Sequence, residues 1–395
     1  MTAAPGSASA APRVIRVTGA RTAMVRAILE ALAGEDPAAL MAFAADGDVL
    51  ADLTADLAAR LGPACRVIGC SSAGGFAFDG YDDGGVVVIA FPRSGFRVEA
   101  TWLRNLRHQT ALDWMRAIRA ADDGIGEAPG TTRFGILLID GLSQREELVA
   151  ALVDATLPGL LVLGGSAGDG LRFRETRLVL DGASHPDSAI FCLMSSRQPV
   201  KDVIFDHITP TGTRLVVTDA RPEARLILEI NAEPAAEEYA RLVGVSLDAL
   251  EPTIFAENPL LQRIGGRNFV HAIREDTPHH GLRLMSSVET GMVMTIGRAT
   301  DLIAGLERRF RTLGGGASLI LGFDCILRRI ALEHAGMQQT VADLYRRYNV
   351  AGFNTYGEQH GGLHVNQTFV GLAFLDGAIQ GSGPGQEGAG GARHG

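Results

Sequence analysis

The chain has 395 residues, room for two domains of ordinary size, with 46% hydrophobic and 21% charged residues. A net charge of −9 and a pI of about 5.6 exclude the basic footprint that nucleic acid or an anionic membrane surface requires. No apolar run reaches bilayer length, so no membrane insertion is expected, and the four cysteines show neither zinc spacing nor the CxxCH of covalent haem attachment. Residues 1–20 begin Ala-, Ser- and Pro-rich without the apolar core of a signal peptide. They are expected to be a disordered tail on a cytoplasmic protein with free thiols.

Two segments then read alike. The first, about 40–105, opens on apolar Leu40 to Ala44 and a helix over 49–61, with Leu50, Leu53, Leu57 and Leu61 at helical spacing. A strand at 65–69 breaks into Cys70-Ser71-Ser72-Ala73-Gly74-Gly75, and strands at 85–91 and 96–102 follow. The second, about 133–207, repeats the order with a strand at 134–139, a helix at 146–157 and a strand at 160–163. That strand breaks into Gly164-Gly165-Ser166-Ala167-Gly168-Asp169-Gly170. Strands at 177–180, 189–193 and 200–207 complete it. The expected fold class is α/β: two domains with mixed sheets and flanking helices, the N-terminal one (21–220) internally duplicated.

The C-terminal domain is expected over 221–377. It has strands at 226–230, 269–273, 282–285 and 317–323, helices at 235–243 and 302–313, and a largely helical stretch at 328–348. Asp301 is the expected N-cap of the second helix. Then comes Gly352-Phe353-Asn354-Thr355-Tyr356-Gly357-Glu358-Gln359-His360, running through His364-Val365-Asn366-Gln367-Thr368 into an apolar strand at 368–374. Glycines and polar residues mark this run as a loop anchored on a buried strand, a common setting for small-molecule sites. The Gly-rich residues 378–395 are expected to be disordered.

These elements together resemble the FIST family of ligand-sensing domains over about 21–376. The resemblance is carried by Val67-Ile68-Gly69-Cys70-Ser71-Ser72-Ala73-Gly74, by Gly164 to Asp169, and by Asp206-His207-Ile208-Thr209-Pro210. It continues through Phe323-Asp324-Cys325-Ile326-Leu327-Arg328 and the run from Tyr356 to Thr368. Within the family the ending is most similar to the branch that binds b-type haem and reports nitric oxide beside a histidine kinase or a cyclic-di-GMP enzyme. The resemblance thus implies a non-catalytic signal-transduction sensor with output through a separate protein.

Such haem binding needs one axial imidazole in an apolar pocket. His207 and His364 are the candidate iron ligands. His271 lies in a strand-like run, while His279, His280 and His360 read as exposed. The ordinary role of each histidine is structural. Arg328 can meet a carboxylate or a propionate through its fork, or form an ion pair. Glu358 can bind an amine, order a loop or cap backbone amides, Asn366 and Thr368 suit ligand contact or turn closure, and the resemblance makes Tyr356 a candidate cofactor contact. The alternative is a haem-free module for an amino acid or metabolite. A remote alternative is a hydrolase on Gly164-x-Ser166-x-Gly168, which lacks the helix that a nucleophile elbow requires after its serine.

Overall fold

The computed structural model describes residues 10–377 except 83, 109, 265, 314 and 315, so the tail expected at 378–395 and residues 1–9 lie outside the described residues. Residues 13–17 depart from the expected disordered tail. Arg13–Val17 is a strand that pairs antiparallel with 86–90 and buries Ile15 and Val17, a short apolar alternation that the Ala- and Pro-rich surroundings masked.

Among the described residues, three six-stranded sheets surround a common core. Each has a parallel pair at its centre: Pro37–Ala44 with Arg66–Ser71, Thr132–Asp140 with Leu161–Ala167, and Ala317–Cys325 with Val350–Thr355. On one side of each pair lies an antiparallel strand of the same unit, Val86–Pro92, Ser188–Ser196 or Thr368–Leu375. Beyond these lie Arg13–Val17, Phe96–Arg104 and Val200–Asp206.

The other side of each pair is filled by a hairpin from a different unit. Leu178–Leu180 and Ala183–His185 of the second unit complete the first sheet. Glu358–His360 and Leu363–Val365 of the third complete the second. Gly75–Ala77 and Gly80–Asp82 of the first complete the third. The duplication is therefore two thirds of a triplication, closed by cyclic exchange of hairpins.

A parallel pair requires a crossover, and each unit supplies helices for it. Gly47–Leu61 and Glu146–Thr156 serve the first two; Ile326–His334 and Gln338–Tyr348 serve the third. Asp46 accepts the N–H groups of Asp48 and Val49 to start the first of these. Helices cover the outer face of each sheet, while Phe43, Ile68, Leu138, Leu163, Phe323 and Phe353 meet inside. Burial on both faces explains the unbroken apolar run Leu40 to Phe43.

The third unit is interrupted after Val200–Asp206 by an antiparallel eight-stranded sheet running from Ile208–Arg221 to Val293–Ala299. Its own core packs against Ala235–Val243 and Pro252–Glu257. Leu302–Arg311, capped by Asp301 through the Ala304 N–H as expected, returns the chain to the unit. Among the described residues no helix is long and apolar enough to cross a membrane.

Candidate functional site

The pairing aligns Gly69, Gly164 and Gly352, each opposite the parallel partner strand. A Cβ there would stand 2.2, 1.8 and 1.8 Å from the carbonyl oxygens of Ala42, Leu137 and Gly322. Glycine is required by this close approach. It places the residues two positions on, Ser71, Ser166 and Asn354, at equivalent strand ends. Their carbonyls accept from Gly168 (3.1 Å), Tyr356 (3.1 Å) and Ala73 (2.8 Å); their N–H groups donate to Arg177 (2.7 Å), Gly357 (2.8 Å) and Gly74 (2.7 Å). Six backbone hydrogen bonds thus tie the carboxyl ends of the three parallel pairs into one ring.

Carboxyl ends of parallel strands are where α/β sheets bind ligands, and two cavities open here. One, of about 70 Å³, lies under the inserted sheet and is lined by Glu146, Phe173, Arg225, Arg274, Arg283 and Tyr356 among others. The other, of about 440 Å³, is lined by Ala73, Asp169, Ile326, Arg329 and neighbouring residues. A third, of about 520 Å³, lies on the inserted sheet beside Arg214 and Arg263. None of the three is lined by His207 or His364.

Tyr356 stands between the first two cavities. Its hydroxyl donates to Asp169, whose carboxylate also accepts the N–H groups of Phe173 (2.7 Å), Arg174 (2.9 Å) and Glu175 (3.0 Å). Burial opposes the Asp169 charge, but these donors win and hold it below the usual carboxylate range. Phe173 stacks on Tyr356 with centroids 4.3 Å apart, and the Arg274 guanidinium covers the far face of Phe173 at 4.3 Å.

The run 352–368 is not the polar loop that its composition suggests. Most of it is strand, within Val350–Thr355, Glu358–His360, Leu363–Val365 and Thr368–Leu375; the hairpin at 360–364 is exposed or half-buried, and the other polar side chains of the run are buried. Glu358 is fully buried. Its carboxyl accepts from Thr355 and from the N–H (3.2 Å) and hydroxyl (2.6 Å) of Thr368, and burial pushes it up to about 8 against those bonds. Gln359 donates to the Ser166 hydroxyl (2.8 Å) and to His364 Nδ1 (3.2 Å). The His364 ring lies on Gly357, whose backbone a Cβ would push into it at 2.2 Å. Asn366 is fully buried and reaches the Tyr356 carbonyl at 3.4 Å. Its Oδ1, the Oε1 of Gln359 and the Nε2 of His364 are buried without a hydrogen-bond partner at normal geometry.

His207 and Arg328 form a separate centre. Arg328, fully buried, donates to Asp324 (2.6 Å), which also accepts from Tyr345 (2.9 Å) and Tyr81 (3.2 Å). Its guanidinium contacts His207 Nδ1 at 3.3 Å. Burial and that cation hold His207 down to about 3. A guanidinium only donates, so Nδ1 accepts and the neutral ring carries its proton on Nε2. His207 in this arrangement offers iron no lone pair. Ser166 is fully buried, bonds to Gln359 and is followed by a loop and a strand, so it forms no nucleophile elbow.

The residues that sequence reasoning missed lie at the junction with the inserted sheet. Arg225 donates to Glu146 (2.7 Å), Glu147 (2.8 Å) and the Met285 carbonyl (2.5 Å), while Ser287 N–H reaches Glu147 at 2.8 Å. Burial pushes Glu146 up to about 7 despite Arg225. His271, bonded to Ser286 (2.9 Å) and Gln262 (3.1 Å), and His364 are both held near 4 by burial, although Glu147 favours their charged forms. No motif marks these residues. Arg225, Arg274 and Arg283 are scattered along the chain, and only the fold brings them together.

Two cavities at converging strand ends, the smaller one under an inserted sheet, fit a small-molecule-binding module. The chain matches the FIST N domain over residues 38–233 and the FIST C domain over 235–360, and it is a FIST-domain protein. FIST domains are sensory modules that bind small ligands in signal transduction. No curated protein matches the chain.

Proposed function

We propose that the chain is a signal-transduction sensor whose ligand is a small anion, such as a simple carboxylate or the carboxylate end of a metabolite or amino acid, bound under the inserted sheet. The cavity lined by Arg225, Arg274 and Arg283 at the strand ends carries this reading. Arginine forks match carboxylates, and the Phe173–Tyr356 stack gives a flat wall. A ligand there touches both the three-unit body and the inserted sheet, so it can favour one relation between them over another. Calorimetric titration with formate, acetate, glycine and glutamate is the test. Arg274→Ala, which leaves the Arg225 ion pairs in place, is expected to weaken the responding ligand at least tenfold. Equal affinity in the variant would refute this placement.

A second reading places b-type haem on His364, with nitric oxide as the signal and a separate histidine kinase or cyclic-di-GMP enzyme as the partner. Its support is the unpartnered, buried Nε2 on a ring that burial keeps neutral, the form in which imidazole binds iron. Turning the Gln359 amide over would let Oε1 accept from Nδ1 and leave Nε2 its lone pair. None of the three cavities is lined by this ring. Ferric, ferrous and nitric-oxide spectra of haem-supplied protein beside His364→Ala and His207→Ala decide it. This reading expects a visible chromophore lost in His364→Ala alone.

A further inference from the structure

We infer that the anion enters together with a proton, which Glu146 takes up as the anion replaces it on Arg225. This rests on the anion-site reading and adds its regulation. Glu146 and Arg225 both line the cavity of about 70 Å³ and are bonded to one another at 2.7 Å, with side chains only 2% and 9% exposed. An anion that takes a fork position on Arg225 must therefore compete with a carboxylate already there. On Arg225 the anion would be a third negative charge beside Glu146 and Glu147, and Arg274 and Arg283 across the cavity already face Glu275, so an uncompensated buried charge remains, which is costly. Protonating the displaced carboxyl removes it.

The surrounding groups favour Glu146 as the acceptor of that proton. Glu147, beside it on the same helix, keeps its own hold on Arg225 at 2.8 Å and on Ser287 N–H at 2.8 Å. Burial opposes the charge of Glu147, but Arg225 and the Ser287 N–H favour it; His364 adds to this only where its own ring is protonated, below about 4. From the inserted sheet Glu146 faces Arg225, with Arg274 and Arg283 across the cavity. From the strand ends it faces Tyr356, whose proton is committed to Asp169. His271 and His364 beyond are neutral above about 4 and take no part near neutrality. Glu146, already raised to about 7, is the group poised to change.

The sign follows from linkage. Below about pH 7 Glu146 is protonated before the anion arrives, and affinity is flat. Above it each anion must bring a proton, so Kd rises about tenfold per pH unit. Formate, acetate and nitrate are suitable probes because they keep one charge between pH 5.5 and 8.5. Calorimetry of the full chain in two buffers of different ionisation heat counts protons directly. The wild type is expected to take up nearly one proton per anion at pH 8 and little at pH 6. Glu146→Gln is expected to take up none and to bind at least as tightly at pH 8. Binding by the wild type without proton uptake at pH 8, or an unchanged proton count in Glu146→Gln, overturns this inference alone. No binding of any probe by either protein overturns the anion site as well.

Discussion

Glu358 shows what a single buried carboxyl does to stability. All its hydrogen-bond partners shown here are neutral, Thr355 and Thr368, and its nearest charged neighbour in effect is another acid, Asp324. Its folded pKa of about 8 lies above the unfolded value near 4.5. The folded protein therefore holds a proton that the unfolded chain gives up as pH rises from about 4.5 to 8. Across that window Glu358 subtracts stability, and above it the loss is complete. Glu358→Gln keeps the shape without the ionisation. Urea titrations are expected to show the variant gaining on the wild type between pH 5 and pH 8 by an amount on the order of 1 kcal/mol or more. An unchanged difference at the two pH values would mean that Glu358 is ionised in place. The residue is legible in sequence as a carboxylate in a Gly-rich run, but its burial is not, because glycine and polar residues also describe exposed turns.

At the scale of elements, the three glycines opposite the parallel strands decide whether each strand pair can close. Gly352→Ala puts a methyl group 1.8 Å from the Gly322 carbonyl oxygen, and backbone on both sides cannot step aside as a flexible side chain could. The expected cost exceeds the roughly 1–3 kcal/mol of ordinary overpacking. Gly124→Ala, inside the helix Ala111–Ile125 and meeting only the end of the Glu99 side chain at 3.4 Å, is expected to be neutral or to stabilise by up to about 1 kcal/mol. Thermal melts of the two variants compare these outcomes, and equal melting points would remove the close-approach argument. These glycines also explain what the sequence showed of the fold. Gly69 and Gly164 sit in matching strand-break motifs, so the duplication was visible. Gly352 precedes Phe-Asn-Thr-Tyr instead of small residues, and the inserted sheet, from Ile208 to Ala299, parts its unit's first strand from its second. The third copy was therefore hidden by both local chemistry and distance along the chain. Helices with clear apolar spacing, such as Gly47–Leu61, were read directly. Arg225 and Glu146 were not, because an ion pair between elements 79 residues apart leaves no local pattern.

For the whole molecule, hairpin exchange makes the two FIST domains one folding unit. The second sheet is finished by residues 358–365, from the far end of the chain, and residues 75–82 of the first unit find their strand partner only in the third sheet. The ring of six backbone bonds also needs all three strand ends at once. A fragment holding only the first two units would expose an unpaired edge on Leu161–Ala167, a hairpin without a sheet, and the core face that Phe323, Phe353 and Phe374 cover. Folding of the full chain is thus expected to be a single cooperative transition. The two tryptophans, Trp102 on the edge strand of the second sheet and Trp114 on the helix packed against it, both report on the second sheet, whereas far-UV circular dichroism reports on all three. Their urea transitions are expected to coincide. The fragment 10–196 is expected to show no sharp transition of its own and to bind a hydrophobic dye. A separate early or late tryptophan transition, or a fragment that melts cooperatively, would mean that the exchanged hairpins decorate independent domains. In that case a ligand under the inserted sheet could not act on the body through the strand ends. Coincident transitions, by contrast, make the exchanged hairpins and the ring one cooperative unit, on which a ligand at the Arg225 junction can act through the strand ends.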